Sequence, residues 1–232
     1  MTDSIGQASR RARTSLVVLL LAGLAGFLVL AATYEHDSLA TLDREVAEWV
    51  AGSMPPWGEW LARPPSWAGG WIGITALGIV LGIVLVRERA WIDFGFLLAT
   101  FVGSAIAVAL LKARFDRARP DVGSAVDLPS SASFPSGHAT AAVSSLGAAA
   151  VLVAERLPSR RARTWLWVIV AVASLAIGVS RVVLNVHYVT DVVAGWCFGL
   201  AWLAACLLVR DAVGRRWQPS ALPKPGRGWV RS

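Results

Sequence analysis

Six long stretches without Asp, Glu, Lys or Arg dominate this chain of 232 residues. Most of them approach the roughly 20 residues that a helix needs to cross the hydrocarbon core of a bilayer. Because lipid offers no hydrogen-bond partners to the backbone, such stretches must be helical. The sequence therefore predicts an all-α, polytopic membrane protein with a bundle of six transmembrane helices. The stretches are residues 14–34, 64–86, 94–111, 134–154, 164–180 and 192–209.

The formal net charge of +7 is divided unevenly between the two sides that six crossings create. The side with both termini, residues 87–93 and residues 155–163 carries 15 Lys or Arg and five Asp or Glu, whereas the other side carries seven and ten. Short cytoplasmic loops are enriched in basic residues, so both termini are predicted to be cytoplasmic. Topology thus explains the excess charge, and we expect no nucleic-acid partner.

The domain organisation follows from these crossings. Residues 1–14 are predicted to be a cytoplasmic segment and residues 15–210 a single membrane domain. Residues 211–232 form a predicted cytoplasmic tail that contains Pro, Gly and Arg without periodicity, and we expect it to be disordered. The first apolar stretch is long and lacks a small-residue cleavage site, so we expect an uncleaved helix rather than a signal peptide.

The segment at about residues 38–62, after the first helix, is predicted to be amphipathic and to lie on the outer membrane surface. The prolines in residues 53–67 are expected to break the chain before the second membrane helix. The apolar positions of the amphipathic stripe are Leu39, Leu42, Val46, Trp49 and Val50.

Three polar clusters interrupt the apolar sequence, and the predicted topology brings all three to the outer end of the bundle. They are "KARFDRARP" at residues 112–120, "PSGH" at residues 135–138 and "SRVVLNVHYVTD" at residues 180–191. The first ends helix three, the second begins helix four, and the third connects helices five and six. Convergence of three distant segments at one membrane depth predicts a functional site.

The "PSGH" cluster combines an anion site with a titratable ring. Ser136 is expected to cap helix four, and Gly137 lets a ligand approach the bare backbone. The free N–H groups and the positive dipole of a helix N-terminus attract anions. The ring of His138 would lie beside such an anion, where it can donate a proton to a departing oxygen.

His187 and Asp191 are four residues apart and therefore neighbours on one helical face. A carboxylate that holds one ring N–H fixes the tautomer and makes the opposite nitrogen a better nucleophile. The same pair could instead be a structural hydrogen bond at the start of a helix. Asn185 is predicted to cap helix six.

Cations complete the predicted site. Lys112 and Arg119 are seven residues apart and would point to one side if helix three continued to Arg119, where Pro120 favours its end. Arg181 enters from helix five, and guanidinium and ammonium groups both suit phosphate oxygens. Two further arginines are interpreted as interfacial anchors, namely Arg114 and Arg117.

The remaining polar residues have simpler interpretations. Asp116, Asp121 and Asp127 are expected to offset local charge, because no helical spacing makes them a metal site. His36 is interpreted as an interfacial residue. We therefore predict no metal and no cofactor.

Taken together, the three clusters resemble the type-2 phosphatidic acid phosphatase superfamily, whose site is shared with vanadium haloperoxidases and bacterial acid phosphatases. The family pattern is Lys-x6-Arg-Pro, then Pro-Ser-Gly-His, then Ser-Arg-x5-His-x3-Asp. Every defined position of this pattern is matched in order within residues 112–191.

The resemblance implies a metal-independent hydrolase of phosphomonoesters or diphosphates that works through a phosphohistidine. In that mechanism His187 attacks phosphorus, Asp191 orients it, and His138 protonates the leaving oxygen before activating water. The resemblance also assigns the phosphoryl oxygens to Lys112, Arg119, Ser136, Arg181 and the backbone of Gly137.

The leading hypothesis is an integral lipid phosphatase of a bacterial cell membrane with an extracytoplasmic active site. Polyprenyl diphosphate, phosphatidic acid, phosphatidylglycerol phosphate and diacylglycerol pyrophosphate all fit a headgroup at the membrane surface. One alternative is a lipid phosphotransferase that uses the same site. A phosphate or lipid transporter is less consistent with the sequence, because transporters tend to place charges at the midplane of paired repeats.

Overall fold

The computed structural model of the protein describes residues 2–124, 126, 128 and 130–216. Within these ranges all regular secondary structure is helical, and six segments are long and apolar enough to cross a membrane. The predicted all-α bundle with six membrane helices is therefore confirmed. The six segments are Arg10–Thr33, Pro56–Arg87, Trp91–Phe115, Gly137–Ala154, Arg160–Val183 and Val189–Arg216.

Some of these crossings consist of more than one helix, and the third contains a π-helical turn at Ala99–Gly103. We number the α-helices in chain order. They are α1 (Thr2–Thr33), α2 (Asp37–Ser53), α3 (Pro56–Ala68), α4 (Trp71–Arg87), α5 (Trp91–Leu98), α6 (Ser104–Phe115), α7 (Gly137–Ala154), α8 (Arg160–Val183) and α9 (Val189–Arg216).

The helices extend beyond the uncharged stretches at both ends of the chain. Helix α1 begins at Thr2, and α9 continues to Arg216 rather than ending near residue 210. Charge ends a membrane crossing but not a helix, because Arg and Gln have good helix propensity. The rest of the predicted tail, residues 217–232, lies outside the described residues.

The predicted proline break is confirmed at Pro55 and Pro56, where α2 has ended and α3 begins with a proline in its first turn. Pro64 and Pro65 do not end α3 but lie inside it. The chain breaks a second time at Gly69 and Gly70, between α3 and α4. A Cβ on Gly69 would lie 2.4 Å from Cγ2 of Ile177 on α8, so glycine lets this bend pack closely.

Helix α7 lies at the centre of the bundle, packed against α8 and α9, while α1 covers another side of α9. Its contact with α9 depends on glycine: a Cβ on Gly195 would lie 2.6 Å from the carbonyl oxygen of Ser136, and one on Gly199 would lie 2.7 Å from that of Thr140. Small residues of this kind allow membrane helices to approach at backbone distance. The "PSGH" cluster and the start of α9 are thereby held together.

An aromatic cluster anchors the loop that precedes α7. Phe134 is fully buried, stacks on Tyr34 with ring centroids 4.9 Å apart, and meets Phe115 edge-on at 5.0 Å. These rings come from the ends of α1 and α6 and from the α7 loop. Their packing fixes the point from which α7 begins.

Part of the predicted amphipathic segment is helical as α2, and its placement on the outer membrane surface stays a prediction. Leu42 and Trp49 are 45% and 61% exposed, whereas Asp43, Ala47 and Val50 are buried. The inward face is therefore centred on a carboxylate rather than on the largest apolar side chains. The reason is a polar partner for Asp43 that lies on another segment.

Candidate active site

The three predicted polar clusters meet at one end of the bundle. The N–H of Ser133, just before α7, donates to the carbonyl of Arg117 at 2.8 Å. The N–H of Ser136 donates to the carbonyl of Asp191 at 3.0 Å. Backbone hydrogen bonds thus join the segment after α6, the start of α7 and the start of α9.

His187 lies in the connection between α8 and α9 and is 3% exposed. Its Nδ1 lies 3.3 Å from Oδ2 of Asp191, and its Nε2 lies 3.3 Å from Nη1 of Arg119. A carboxylate only accepts and a guanidinium only donates, so both contacts require the hydrogen on Nδ1. The lone pair therefore resides on Nε2.

The same surroundings keep this ring neutral. Burial lowers the pKa of His187 to about 4, although the hydrogen bond and the charge of Asp191 act in the opposite direction. Nearby Arg119 and Lys112 lower the pKa further. A neutral imidazole with a free lone pair is the form that can act as a nucleophile.

Asp191, rather than Asn185, caps the start of α9. Its Oδ2 accepts from the N–H of Tyr188 at 3.0 Å. Asn185 instead has a left-handed backbone (φ 54°), and its Nδ2 donates to the carbonyls of Ala47 and Gly123. Asn tolerates this conformation and so turns the chain after α8, which corrects the predicted cap.

Arg119 reaches His187 by a route other than the predicted helix. Helix α6 ends at Phe115, because Asp116 adopts a left-handed conformation with φ 44°. Arg119 then lies on the irregular segment that follows, where Nη1 donates to the carbonyl of Val186 at 2.6 Å. The predicted extension of helix three is wrong, but the guanidinium still reaches the site.

Lys112 and Arg181 are both held by neutral oxygen atoms. The Nζ of Lys112 donates to the carbonyl of Ala132, and Nη1 of Arg181 donates to Oγ of Ser66 on α3. The Nε of Arg181 is buried and has no partner among the described residues. A buried donor that is unsatisfied in this way favours an anion, since leaving it unpaired is costly.

The start of α7 matches its prediction. Ser136 is the N-cap, and its Oγ accepts from the N–H of Ala139 at 3.5 Å. Gly137 and His138 form the first turn of the helix. A Cβ on Gly70 would lie 3.4 Å from Nε2 of His138, so the bend between α3 and α4 covers this ring.

His138 faces the same positive surroundings as His187. It interacts electrostatically with the ring of His187 and with the side chains of three cations. Both histidines therefore belong to one site. The cations are Arg181, Lys112 and Arg119.

Arg117 is not the interfacial anchor that the sequence predicts. Its Nη1 donates to Oδ1 of Asp191 at 2.6 Å, and its Nη2 donates to Oδ2 of Asp43 at 2.8 Å. Burial acts to lower the pKa of Arg117, but the two carboxylates outweigh it and raise the pKa. The sequence contains a signal for this pairing, because Asp43 is a charged residue within the inward face of an otherwise amphipathic helix.

A cavity of about 930 Å³ opens beside His138 and runs between α4, α6 and α7. Its walls are largely apolar, and it extends along α4 as far as Val86 and Arg87 at the opposite end of the helix. The polar site thus continues into a groove at membrane depth.

Among the described residues, no three His, Cys, Asp or Glu side chains lie together in a way that could hold a metal ion. The sequence prediction of a metal-free site stays a prediction. Asp127, which was expected to offset local charge, lies outside the described residues.

Fold and site define a polytopic membrane protein with two histidines and several cationic side chains at one end of its bundle. The family model of the PAP2 superfamily matches residues 93–215, which include all three polar clusters. The chain therefore belongs to the PAP2 superfamily, which confirms the resemblance seen in its motifs.

The relatives are lipid phosphatases. The chain is 29% identical to phosphatidylglycerophosphatase B of Bacillus subtilis, over 75% of this chain and 86% of the relative. It is 38% identical to decaprenylphosphoryl-5-phosphoribose phosphatase of Mycobacterium tuberculosis, over 62% of this chain and 72% of the relative. The crystal structure of a transmembrane PAP2-type phosphatidylglycerolphosphate phosphatase from Bacillus subtilis matches with a TM-score of 0.77 and 25% identity. That match covers 87% of this chain and 98% of the solved one, and the similarities together support a lipid phosphatase.

Proposed function

We propose that this protein hydrolyses the phosphomonoester or diphosphate headgroup of a membrane lipid through a phosphohistidine, without a metal ion. The observation that carries the proposal is the orientation of His187. Asp191 holds its Nδ1, while the lone pair on Nε2 points to the guanidinium of Arg119, a group suited to phosphoryl oxygens.

In the first step, Nε2 of His187 attacks phosphorus, and the bond between phosphorus and the leaving oxygen breaks. The negative charge of the bound headgroup offsets the surrounding cations and so favours a protonated His138. His138 gives this proton to the leaving oxygen, which departs as an alcohol or as a phosphate. The forming imidazolium is stabilised by Asp191 at Nδ1. Negative charge on the phosphoryl oxygens is met by Arg119, Arg181 and Lys112 together with the start of α7.

In the second step, His138 removes a proton from a water molecule, and the resulting oxygen attacks phosphorus. The bond between phosphorus and Nε2 of His187 then breaks, and inorganic phosphate is released. The enzyme regains its neutral His187 and its protonated His138, so atoms and charges balance over the cycle.

A lipid is the proposed substrate because the site opens into an apolar groove. The cavity beside His138 runs along α4 at membrane depth, where an acyl or prenyl chain can lie. The relatives in Bacillus subtilis and Mycobacterium tuberculosis are named for a glycerophospholipid and a polyprenyl lipid, respectively. Both headgroup classes are therefore proposed here.

The proposed orientation puts the site on the extracytoplasmic side of the cell membrane. Support comes from the basic residues, which are concentrated at the end of the bundle opposite the site. Thiol labelling of single cysteines introduced at each terminus, in sealed vesicles of known orientation, tests this topology with a membrane-impermeant reagent. Both termini should react only from the cytoplasmic side, and reaction from the outer side would contradict the orientation.

The function is tested with purified full-length protein in detergent micelles that contain EDTA. Release of phosphate is measured from phosphatidylglycerophosphate, phosphatidic acid and undecaprenyl diphosphate. We expect release from at least one of them, and His187→Ala should abolish it. Acid-labile, base-stable radiolabel should appear on the wild type when turnover of a ³²P-labelled substrate is quenched, and it should be absent from His187→Ala, because that ring carries the phosphoryl group.

Three results would contradict the proposal. Activity retained by His187→Ala would exclude His187 as the nucleophile, and complete loss of activity in EDTA with recovery on adding a divalent metal would exclude metal independence. Transfer of phosphate to an added alcohol without any release would favour the phosphotransferase instead.

A further inference from the structure

We infer that Asp43 and Arg117 form a positioning pair that holds the carboxylate of Asp191, and through it the ring of His187. This inference rests on the proposed role of His187 as the nucleophile. Neither Asp43 nor Arg117 is one of the defined positions of the three motifs. Asp43 also lies outside residues 93–215, the region that the family model matches.

The first argument is that the two carboxylate oxygens of Asp191, which is completely buried, accept hydrogen bonds from different donors. Oδ1 accepts from Nη1 of Arg117 at 2.6 Å. Oδ2 is thereby left for the N–H of Tyr188 at 3.0 Å and for Nδ1 of His187 at 3.3 Å. Arg117 therefore fixes the plane of the carboxylate that orients the ring.

The second argument is that Asp43 holds Arg117 and the backbone beside Asp191 at once. Asp43 is 1% exposed, and its Oδ2 accepts from Nη2 of Arg117 at 2.8 Å and from the hydroxyl of Thr190. Its Oδ1 accepts from the N–H of Thr190 at 3.1 Å. The hydroxyl of Thr190 also accepts from Nη1 of Arg117 at 2.7 Å. Such a fully connected buried network rigidifies the groups within it.

The third argument separates Arg117 from the cations that we assign to phosphate. Both of its terminal nitrogens are committed to carboxylates. The guanidinium carbon lies 4.7 Å from the ring centroid of Tyr34 and 4.3 Å from that of Tyr188. Arg117 thus acts on the reaction through Asp191 rather than by contact with the substrate.

Charge and geometry make separate predictions for this pair. Asp43, Arg117 and Asp191 together carry one net negative charge next to His187. Removing the charge of Asp43 should disfavour the protonated ring, and removing the charge of Arg117 should favour it. Removing both restores the original net charge but not the hydrogen bonds. Other charged groups facing the ring stay in place in all variants, namely Lys112, Arg119 and His138.

The test compares Asp43→Asn, Arg117→Gln and the double variant with wild type as full-length proteins in detergent micelles. The pH midpoint of His187 is measured by side-chain ¹⁵N NMR, with His187→Gln to assign its signal. We expect the midpoint to move down by about one pH unit in Asp43→Asn, up in Arg117→Gln, and back towards wild type in the double variant.

Kinetic constants test whether the pair positions the ring of His187. On whichever of phosphatidylglycerophosphate, phosphatidic acid and undecaprenyl diphosphate the wild type cleaves, kcat should fall by about 10-fold to 100-fold in all three variants, with KM little changed. Arg117→Lys should keep the NMR midpoint but lower kcat, because an ammonium cannot bridge two carboxylates as a guanidinium does. Matched controls at exposed neighbours should change neither quantity; they are Glu45→Gln on α2 and Arg114→Gln on α6.

Midpoints that do not move, or that move in one direction for both single variants, would overturn the inference. So would a rise in KM without a fall in kcat. In those cases an inactive His187→Ala would still leave the proposed function intact. Activity in His187→Ala would instead remove the proposed function itself, so the two failures are distinguishable.

Discussion

The guanidinium of Arg119 lies 3.3 Å from Nε2 of His187, on the side of the ring opposite to Asp191. This contact fixes the tautomer in advance, because an arginine can only donate to the ring nitrogen. It also places a phosphate-binding group at the nitrogen that we propose as nucleophile. A phosphoryl group that accepts the hydrogen bond of Arg119 in place of Nε2 would lie directly against the lone pair of His187.

The tautomer of His187 can be observed directly. The protein has three histidines, so the ¹⁵N side-chain spectrum is simple, and His187→Gln identifies the relevant signals. Because burial lowers the pKa of His187 to about 4, we expect a neutral ring at pH 6 with its hydrogen on Nδ1. A cationic ring at pH 6, or one with its hydrogen on Nε2, would contradict the geometry.

The same pKa predicts how stability depends on pH. An unfolded histidine binds a proton near pH 6.5, whereas the pKa of folded His187 is about 4. The unfolded state therefore takes up a proton first, and the free energy of unfolding should fall as the pH decreases from about 6.5 to about 4. Thermal unfolding of wild type and His187→Gln at pH 7 and pH 5 measures this effect. The wild type should lose more stability than the variant between pH 7 and pH 5. Equal losses would contradict a lowered pKa of His187 in the folded protein.

Gly195→Ala should damage both stability and catalysis. The added Cβ would lie 2.6 Å from the carbonyl of Ser136, so α9 must move away from the start of α7. We expect unfolding to become easier by about 1–3 kcal/mol and kcat to fall, since His187 and His138 lie on the two separated segments. Gly214→Ala is the control, because a Cβ there meets nothing within 4 Å. Equal behaviour of the two variants in thermal unfolding and phosphate release would refute this.

Arg210 should contribute to stability without contributing to catalysis. It bonds Asp93 at the start of α5 and Glu155 at the end of α7, and its side chain is 19% exposed. Arg210→Gln leaves these carboxylates without their partner and should cost about 1–3 kcal/mol in the free energy of unfolding. KM should remain unchanged, because these residues lie at the end of the bundle opposite the site.

The control for Arg210→Gln is Arg156→Gln, which removes a more exposed ion pair with Glu88. Its effect on the free energy of unfolding should be about 0–1 kcal/mol. Chemical denaturation of both variants in the same micelles provides the comparison. A larger loss of unfolding free energy in Arg156→Gln than in Arg210→Gln would contradict the prediction that the less exposed ion pairs stabilise the protein more.

The site could be predicted from the sequence only where a residue acts within its own segment. Ser136 caps α7 and His187 pairs with Asp191, because local spacing decides both contacts. Arg119 is predicted to reach the site from an extension of the third membrane helix. In the structure a single left-handed residue, Asp116, ends α6 before Arg119. Asn185 is likewise predicted to cap its own helix, but its side chain donates hydrogen bonds to carbonyl groups of other segments.

The sequence by itself determined the six crossings and the positions of the three motifs. Lipid cannot satisfy backbone polar groups, so apolar length alone dictates helices. Only the tertiary structure decided which charges are paired inside the protein. Asp43 meets Arg117 across 74 residues, and Arg117 meets Asp191 across another 74. A buried ion pair depends on the packing of whole helices, which no local pattern of hydrophobicity encodes.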